Sequence, residues 1–472
     1  MRSPDQNRRR AWFALGVLFL INMLNFYDRQ IPAAVTPSIV SEWNLSYTKM
    51  GLLGTAFVLI YAAVGVPLGR LSDRYSRTRI LGAGVTVWSL LTAASGMTWS
   101  YASMFVTRLG VGVGEASCAP AANSLVGDLF PPRQRARALA IFMLGLPIGI
   151  FLSTTVSGWL AQHASWRTAF YIACIPGLVC GAATLFMLEP KRGGSEREHS
   201  APPASLPAPR PQRPGSPYLI VLGTPTIVWI IVSGALHNFN MYAINSFLPA
   251  MIELRHHLDH SKAGLIAGIV LGAVGVVGML GGGWLADLAQ HSRSNGRLLV
   301  ATAAMFLSAP LIYLGLNQPP GAIASFMIFT GAGVMFVYVY YASVYAAIQD
   351  VIEPGLRGTA MALYFFAMYL VGGAFGPSVM GKLSDVLSTR AMEAAGVSPV
   401  GGIIPAEFRE IGLHQGLYVL PAVCLGLGIV LFAASRTVAR DMRKLEEWYE
   451  QAEQAPVMEP AILAAGEAVA GR

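Results

Sequence analysis

Residues 128–140 read DLFPPRQRARALA, and residues 350–362 read DVIEPGLRGTAMA. Asp128, Pro132, Arg135, Ala138 and Ala140 return at a constant offset of 222 as Asp350, Pro354, Arg357, Ala360 and Ala362. A second echo sets GRLSD at Gly69–Asp73 against GWLAD at Gly283–Asp287. Two short words recurring in the same order across a long chain point to two related halves.

What surrounds these words settles the fold class. The chain has 472 residues, 54% of them hydrophobic and only 12% charged. A soluble domain carries roughly twice that charge. The length would allow two or three soluble domains, but so few charges cannot cover their surfaces, so the chain belongs in lipid. A spanning helix needs roughly 20 mostly apolar residues. Twelve runs qualify, at about 11–33, 50–70, 79–97, 101–129, 136–161, 166–188, 219–251, 262–286, 297–316, 321–349, 357–384 and 411–435. The first follows Arg8-Arg9-Arg10, as a secretory signal would. It has no small-residue cleavage site and is long enough to span, so it reads as helix 1. Parallel repeats of six helices build one large class of transporters.

An even number of crossings puts both termini on one side, and lysine and arginine decide which. With cytoplasmic termini, inside segments hold 24 of these residues and outside segments seven, while Arg29 and Arg108 lie within helices. The orientation follows: a multi-pass protein of the cell's inner (plasma) membrane with both ends in the cytoplasm. The net charge of +8 is this asymmetry and does not signal nucleic acid. Residues 189–217 hold eight prolines with glycine, serine and mixed charge, too little apolar surface to order a segment. The expected organisation is a six-helix bundle over 1–188, a flexible cytoplasmic linker over 189–217, a second bundle over 218–435 and a cytoplasmic tail over 436–472 that starts as a surface helix. Cys118, Cys174, Cys180 and Cys424 all sit in apolar runs without disulfide or metal-site spacing.

Gly69-Arg-Leu-Ser-Asp-Arg-Tyr-Ser-Arg-Thr-Arg79 closes helix 2 and opens helix 3. It resembles the signature of the major facilitator superfamily, departing at Ser76, where glycine is usual. Glycine lets helices approach, and Asp73 can meet arginines or the partial positive charge of a helix N-terminus. Gly69, Asp73, Arg74 and Arg77 are therefore candidates for a cytoplasmic gate, and Asp128 can join them by pairing with Arg70, Arg74 or Arg77. Further resemblance is carried by Asn25-Phe-Tyr-Asp-Arg29, Arg108-Leu-Gly-Val-Gly-Val-Gly-Glu115, Trp166-Arg-Thr-Ala-Phe-Tyr, Arg357-Gly-Thr-Ala and Gly381-Lys-Leu-Ser-Asp385. Together these resemble the spinster family in a bacterial-type version. The resemblance implies an all-α membrane protein of the major facilitator fold, with twelve transmembrane helices in two pseudo-symmetric six-helix bundles. It also implies proton-coupled movement of lysophospholipid- or sphingolipid-like amphiphiles by alternating access, and a monomer.

Asp28, Arg29, Arg108 and Glu115 fall inside predicted spans. Each charge at mid-bilayer costs about 2.5–3.5 kcal/mol or more, so they face a cavity or one another. Counting about 1.5 Å per residue puts Asp28 and Arg108 at a similar depth, where they can pair. Glu115, two turns deeper on the face of Arg108, awaits whichever arginine moves toward it. These four are the candidates for proton coupling, the arginines and Glu115 also for substrate binding. The repeat places no charge opposite them in the second half. That half offers Asn238, Tyr242 and Asn245 in helix 7, Tyr338, Tyr341 and Tyr345 in helix 10, and Phe365 and Tyr369 in helix 11. An uncharged wall of this kind suits an acyl chain, with the arginines left to hold a phosphate head. Packing between helices is the other reading of those residues.

No Walker motif, nucleotide loop or metal cluster is visible, so no cofactor and no enzymatic chemistry are expected. A symporter of small organic anions, a multidrug efflux pump and a scaffold without transport are the alternatives to an amphiphile transporter. An uncharged second half argues against the first of these, and intramembrane charges against the last.

Overall fold

The computed structural model describes residues 4–130, 132–190, 215–353, 356–397 and 404–454. Most of the expected linker and the end of the tail lie outside these residues. Among the described residues every regular element is a helix, and the helices group into twelve crossings. In the first half these are α1 (Pro4–Ala34), α2 (Tyr47–Arg74), α3 (Arg77–Gly96), α4 (Tyr101–Glu115 with Cys118–Leu129), α5 (Pro132–Met143 with Gly145–His163) and α6 (Trp166–Ala183). The second half has α7 (Pro225–His256), α8 (His260–Gly268 through Val274–Ser292), α9 (Gly296–Leu316), α10 (Ile323–Val351), α11 (Arg357–Ala367 through Ala374–Ala394) and α12 (Ala406–Leu417 with Val419–Gln454).

Ten crossings are long and apolar enough to span by composition alone. The two that fall short are α3, diluted by serine, threonine and glycine, and α4, which breaks at Ala116 and Ser117. Ser117 turns its hydroxyl back to the Gly114 carbonyl at 2.8 Å, a bond that competes with the helical ladder. Glu115 is thus the last residue before a break, where the chain has backbone polarity to spare. α8 and α11 each contain a short π-helical stretch, Ile269–Ala273 and Met368–Gly373. A short helix, Thr36–Trp43, lies between α1 and α2, where no element is expected from the apolar pattern. Its Glu42 takes two bonds from the Arg167 guanidinium, at 2.8 and 2.7 Å, and one from the Trp166 indole at 2.7 Å. The Arg167 bonds hold the Glu42 carboxyl down at about 2.

The repeat reappears as matching ion pairs. Arg77, one residue into α3's cap, pairs with Asp128, and Arg297, at the start of α9, pairs with Asp350. Asp287 of the second echo joins Arg297 at 3.1 Å. All of this sits at the end of the bundle where α1 starts and α12 ends, the basic end.

The tail differs from its expectation. Rather than starting a separate surface helix after Arg436, it continues α12 to Gln454 and buries Val438, Asp441 and Leu445. Thr224, the residue before α7, makes no side-chain cap. Asp441 supplies one instead, accepting from the Thr226 amide at 2.9 Å and its hydroxyl at 2.7 Å. A carboxylate at a helix N-terminus meets both orphan donors and the helix dipole. Asp441→Ala is expected to lower stability by about 1–2 kcal/mol, read as an earlier melting transition in detergent. A melting curve matching the parent's would remove the cap from the account.

Candidate functional site

Glu115 is fully buried and Arg29 nearly so. The Glu115 carboxylate accepts from Arg29 Nε at 2.7 Å and from Asn25 Nδ2 at 3.0 Å. Both donors come from α1, one helical turn apart, so a single face of α1 clamps the carboxylate at the break in α4. The two terminal nitrogens of Arg29 have no hydrogen-bond partner. Their guanidinium lies over rings, 4.3 Å from the centre of Tyr61, 5.1 Å from Phe26 and 5.2 Å from Phe57. Arg108 approaches Phe57 from elsewhere at 5.3 Å, and its Nη1 is also unpartnered. One phenyl ring therefore touches two guanidiniums, and the attraction of its face for cations offsets part of their desolvation.

The expected Asp28–Arg108 ion pair is not formed. Asp28 is buried beside Thr92, whose hydroxyl stands 3.4 Å from one carboxylate oxygen, and its other oxygen has no partner. Depth along a helix leaves azimuth open: adjacent residues point about 100° apart. Arg29 faces the centre of the molecule and Asp28 faces α3.

Two cavities meet between the halves. One, of about 920 Å³, lies toward the end remote from the termini and is lined by Arg29, Arg108, Gln30, Phe57 and Asn245. The other, of about 1400 Å³, lies toward the basic end and is lined by Tyr61, Tyr345, Phe365, Tyr369 and Phe142. Asn238, Tyr242 and Tyr341 line both, with Phe26 and Leu146. The two arginines thus line the first cavity alone, and the second carries the larger share of aromatic rings. Asn238 also has a structural task, donating to the Met368 carbonyl at 2.9 Å where the π-helical stretch begins. Asn245 offers its backbone carbonyl to Gln30 at 2.6 Å, joining the halves. Tyr338 is the exception among the expected wall residues. It is buried away from both cavities, donates to Leu271 O at 2.8 Å and is packed against Gly275, so it belongs to helix packing.

The halves touch at the remote end and part at the basic end. At the remote end Gly51 of α2 abuts the Pro377 carbonyl of α11, and Gly158 of α5 meets Gly264 of α8, contacts that no Cβ could enter. Toward the basic end Gly65, Gly127, Gly281 and Gly358 have open space where a Cβ would stand.

Arg77, nearly fully buried, binds Asp128, Glu189 at 2.8 Å, the Ser124 hydroxyl at 2.8 Å and the Pro190 carbonyl at 2.8 Å. All these partners belong to the first half or its exit, so in this state the cluster braces one bundle and does not join two. Glu189, read from sequence as the start of the linker, is the partner that reasoning missed. A Cβ on Gly69 would stand 3.8 Å from the Pro120 ring, and Arg74 is exposed. The Asp73 and Arg70 side chains lie outside the described residues. No group of acids, histidines and cysteines that could hold a metal occurs among the described residues.

Residues 18–377 match the Major Facilitator Superfamily. The chain is 31% identical over 398 residues to Protein spinster homolog 1 of Homo sapiens, covering 80% of this chain and 74% of that protein. It is 29% identical over 381 residues to an MFS-type efflux pump of Mycolicibacterium smegmatis, covering 80% and 86%. Its fold is similar to a crystal structure of a bacterial homolog to the human lysosomal transporter Spinster, inward-facing and unoccupied. The TM-score is 0.77 at 23% identity, over 93% of this chain and 99% of that one.

Proposed function

From the premise that this chain belongs to the major facilitator superfamily and within it to the spinster family, we propose that it moves lysophospholipid- or sphingolipid-like amphiphiles across the membrane, coupled to protons. That it is a multi-pass membrane transporter of a small-molecule substrate, and not an enzyme, follows from the family itself. The substrate class rests on one observation. Arg29 and Arg108, whose guanidiniums keep buried nitrogens without hydrogen-bond partners, line one cavity, and a cavity rich in aromatic rings adjoins it. Arginine suits a phosphate head through its planar fork, and the second cavity suits an acyl chain. Tyr242 and Tyr341, which line both, stand at the junction of head and tail.

Proton coupling is read from the Arg29–Glu115 contact. A carboxylate holds Arg29 while charged and releases it when protonated, so a proton on Glu115 frees Arg29 for the anionic head. Asp28, with one oxygen unpartnered in a buried site, is the second proton carrier, and Arg108 its switching neighbour. Orientation follows the basic end, taken as cytoplasmic, which makes the present state inward-facing. The bundles divide at the 189–217 linker, the working unit is a monomer, and Asp73, Arg74, Arg77 and Asp128 close the cytoplasmic side.

Thermal stabilisation in detergent tests the substrate class. A lysophospholipid at about 100 times its Kd adds about 2.7 kcal/mol and raises the melting temperature, while small carboxylates leave it unchanged. Stabilisation by carboxylates alone would reverse the choice in favour of an anion symporter. In proteoliposomes, Glu115→Gln is expected to transport without the parent's pH dependence. An unchanged pH profile would remove Glu115 from proton coupling.

A further inference from the structure

The word Gly69-Arg-Leu-Ser-Asp73 at the basic end of α2 has a closer copy than its echo in α8. It is Gly381-Lys-Leu-Ser-Asp385, near the remote end of α11. The copy carries a contact that neither the repeat nor the cavity accounts for. Asp385 Oδ1 accepts from the Tyr47 amide at 3.0 Å, and Oδ2 accepts from the Thr48 amide at 2.8 Å and the Thr48 hydroxyl at 2.6 Å. Tyr47 and Thr48 are the first two residues of α2, whose amides have no partner within their own helix. Ser46 serves the next free amide, that of Lys49, at 3.3 Å. A carboxylate from the second half thus completes the N-terminus of a helix in the first.

Pro377, Gly381 and Asp385 recur every four residues on one face of α11, and each touches α2. The Gly51 backbone lies on Pro377, and Gly381 abuts the Tyr47 carbonyl so closely that a Cβ could not enter. The glycines bring the backbones together, and the carboxylate at the end of the row meets two amides and the positive end of the α2 dipole. We propose that Asp385 is the outer latch of the transport cycle, engaged in this inward-facing state and released when the outer side opens. This inference needs only alternating access; it does not depend on which substrate is carried.

The full chain in lipid nanodiscs, spin-labelled at Lys49→Cys and Glu393→Cys, reports the α2–α11 separation at the outer side. Both positions are exposed and all four native cysteines are buried. Hydrogen bonds to a charged group are worth enough that Asp385→Asn is expected to raise the outward-open to inward-open ratio about tenfold. Thr48→Val, which deletes one of the three bonds, is expected to raise it about threefold. Asp385→Glu is expected to fall between Asn and the parent. An Asp385→Asn distance distribution equal to the parent's overturns the latch. Should that variant not fold, an unchanged distribution for Thr48→Val does the same.

Discussion

Arg29→Ala is expected to reduce transport by at least about 100-fold, a barrier change of roughly 3 kcal/mol, and to destabilise the protein as well. The two effects have different origins and can be separated. Arg29 supplies the cation of the Glu115 ion pair through Nε and lines the cavity, with both terminal nitrogens buried and without a hydrogen-bond partner. Removing it leaves Glu115 as a buried carboxylate with only Asn25 for company, a loss of about 3–5 kcal/mol when one partner of a buried pair is deleted. Glu115→Gln removes the stranded charge. The double variant Arg29→Ala/Glu115→Gln is therefore expected to recover most of the melting temperature and none of the transport. Arg29→Lys keeps a charge but lacks the fork. It cannot bond Glu115 and also present two further donor nitrogens to a phosphate, so roughly tenfold of the activity is expected to be lost. Liposome transport assays beside melting curves read both quantities. Transport returning with stability in the double variant would mean that Arg29 acts only as a structural counter-ion.

The single-residue roles at this site were legible to different degrees, for physical reasons. That Asp28, Arg29, Arg108 and Glu115 are exceptional needed only the cost of placing charge in hydrocarbon. Their partners could not be had that way, because pairing depends on helix rotation and on the break after Glu115, and an apolar run encodes neither. Asn238, Tyr242, Asn245, Tyr341, Tyr345, Phe365 and Tyr369 line the cavities as their periodicity suggested, whereas Tyr338 obeys the same periodicity and packs against Gly275 instead. A stripe on one face of a helix fixes direction, not whether that direction meets a cavity or a neighbour. Loop partners are harder still. Arg77 was visible as part of a basic loop, but Glu189 lies 112 residues away and reads as the first residue of a proline-rich stretch. Asp385 was visible only as the last letter of a motif in α11, and its bonds reach a helix 338 residues away in sequence.

The apolar pattern does state that helices exist, and the glycines state how closely they pack; the second message is the more informative about the cycle. In α8, Gly264, Gly268 and Gly272 recur every four residues and all face α5. A Cβ on Gly268 would stand 2.7 Å from the Thr155 hydroxyl and 2.9 Å from the Phe151 carbonyl; on Gly272, 2.5 Å from the Pro147 carbonyl; on Gly264, against the Thr154 carbonyl and the Gly158 backbone. A spacing of small residues in this pattern is how membrane helices bring backbones together. In the proposed cycle these two halves separate at this face when the outer side opens, so the contact belongs to one state and not to the other.

Gly264→Ala is accordingly expected to act on the equilibrium between states more than on the fold. The obstacle it meets is backbone, which cannot rotate out of the way as a side chain would. Overpacking of this kind costs about 1–3 kcal/mol. The cost falls on the inward-facing state alone, since opening the outer side moves α5 away from α8. A cost of about 2 kcal/mol is roughly a 30-fold shift of the ratio toward outward-facing. Ser246 lines the cavity nearer the outer side, so a cysteine placed there reports the shift as faster modification by a membrane-impermeant thiol reagent added from outside. The gain in rate is expected to approach the gain in population, with transport falling because the return to inward-facing becomes uphill. Gly281, in the same helix with open space around it, is the matched control: Gly281→Ala should leave labelling and transport unchanged. If Gly264→Ala lowers the melting temperature while Ser246→Cys labels at the parent rate, the glycine row serves folding and the α5–α8 contact is not what holds the outer side shut.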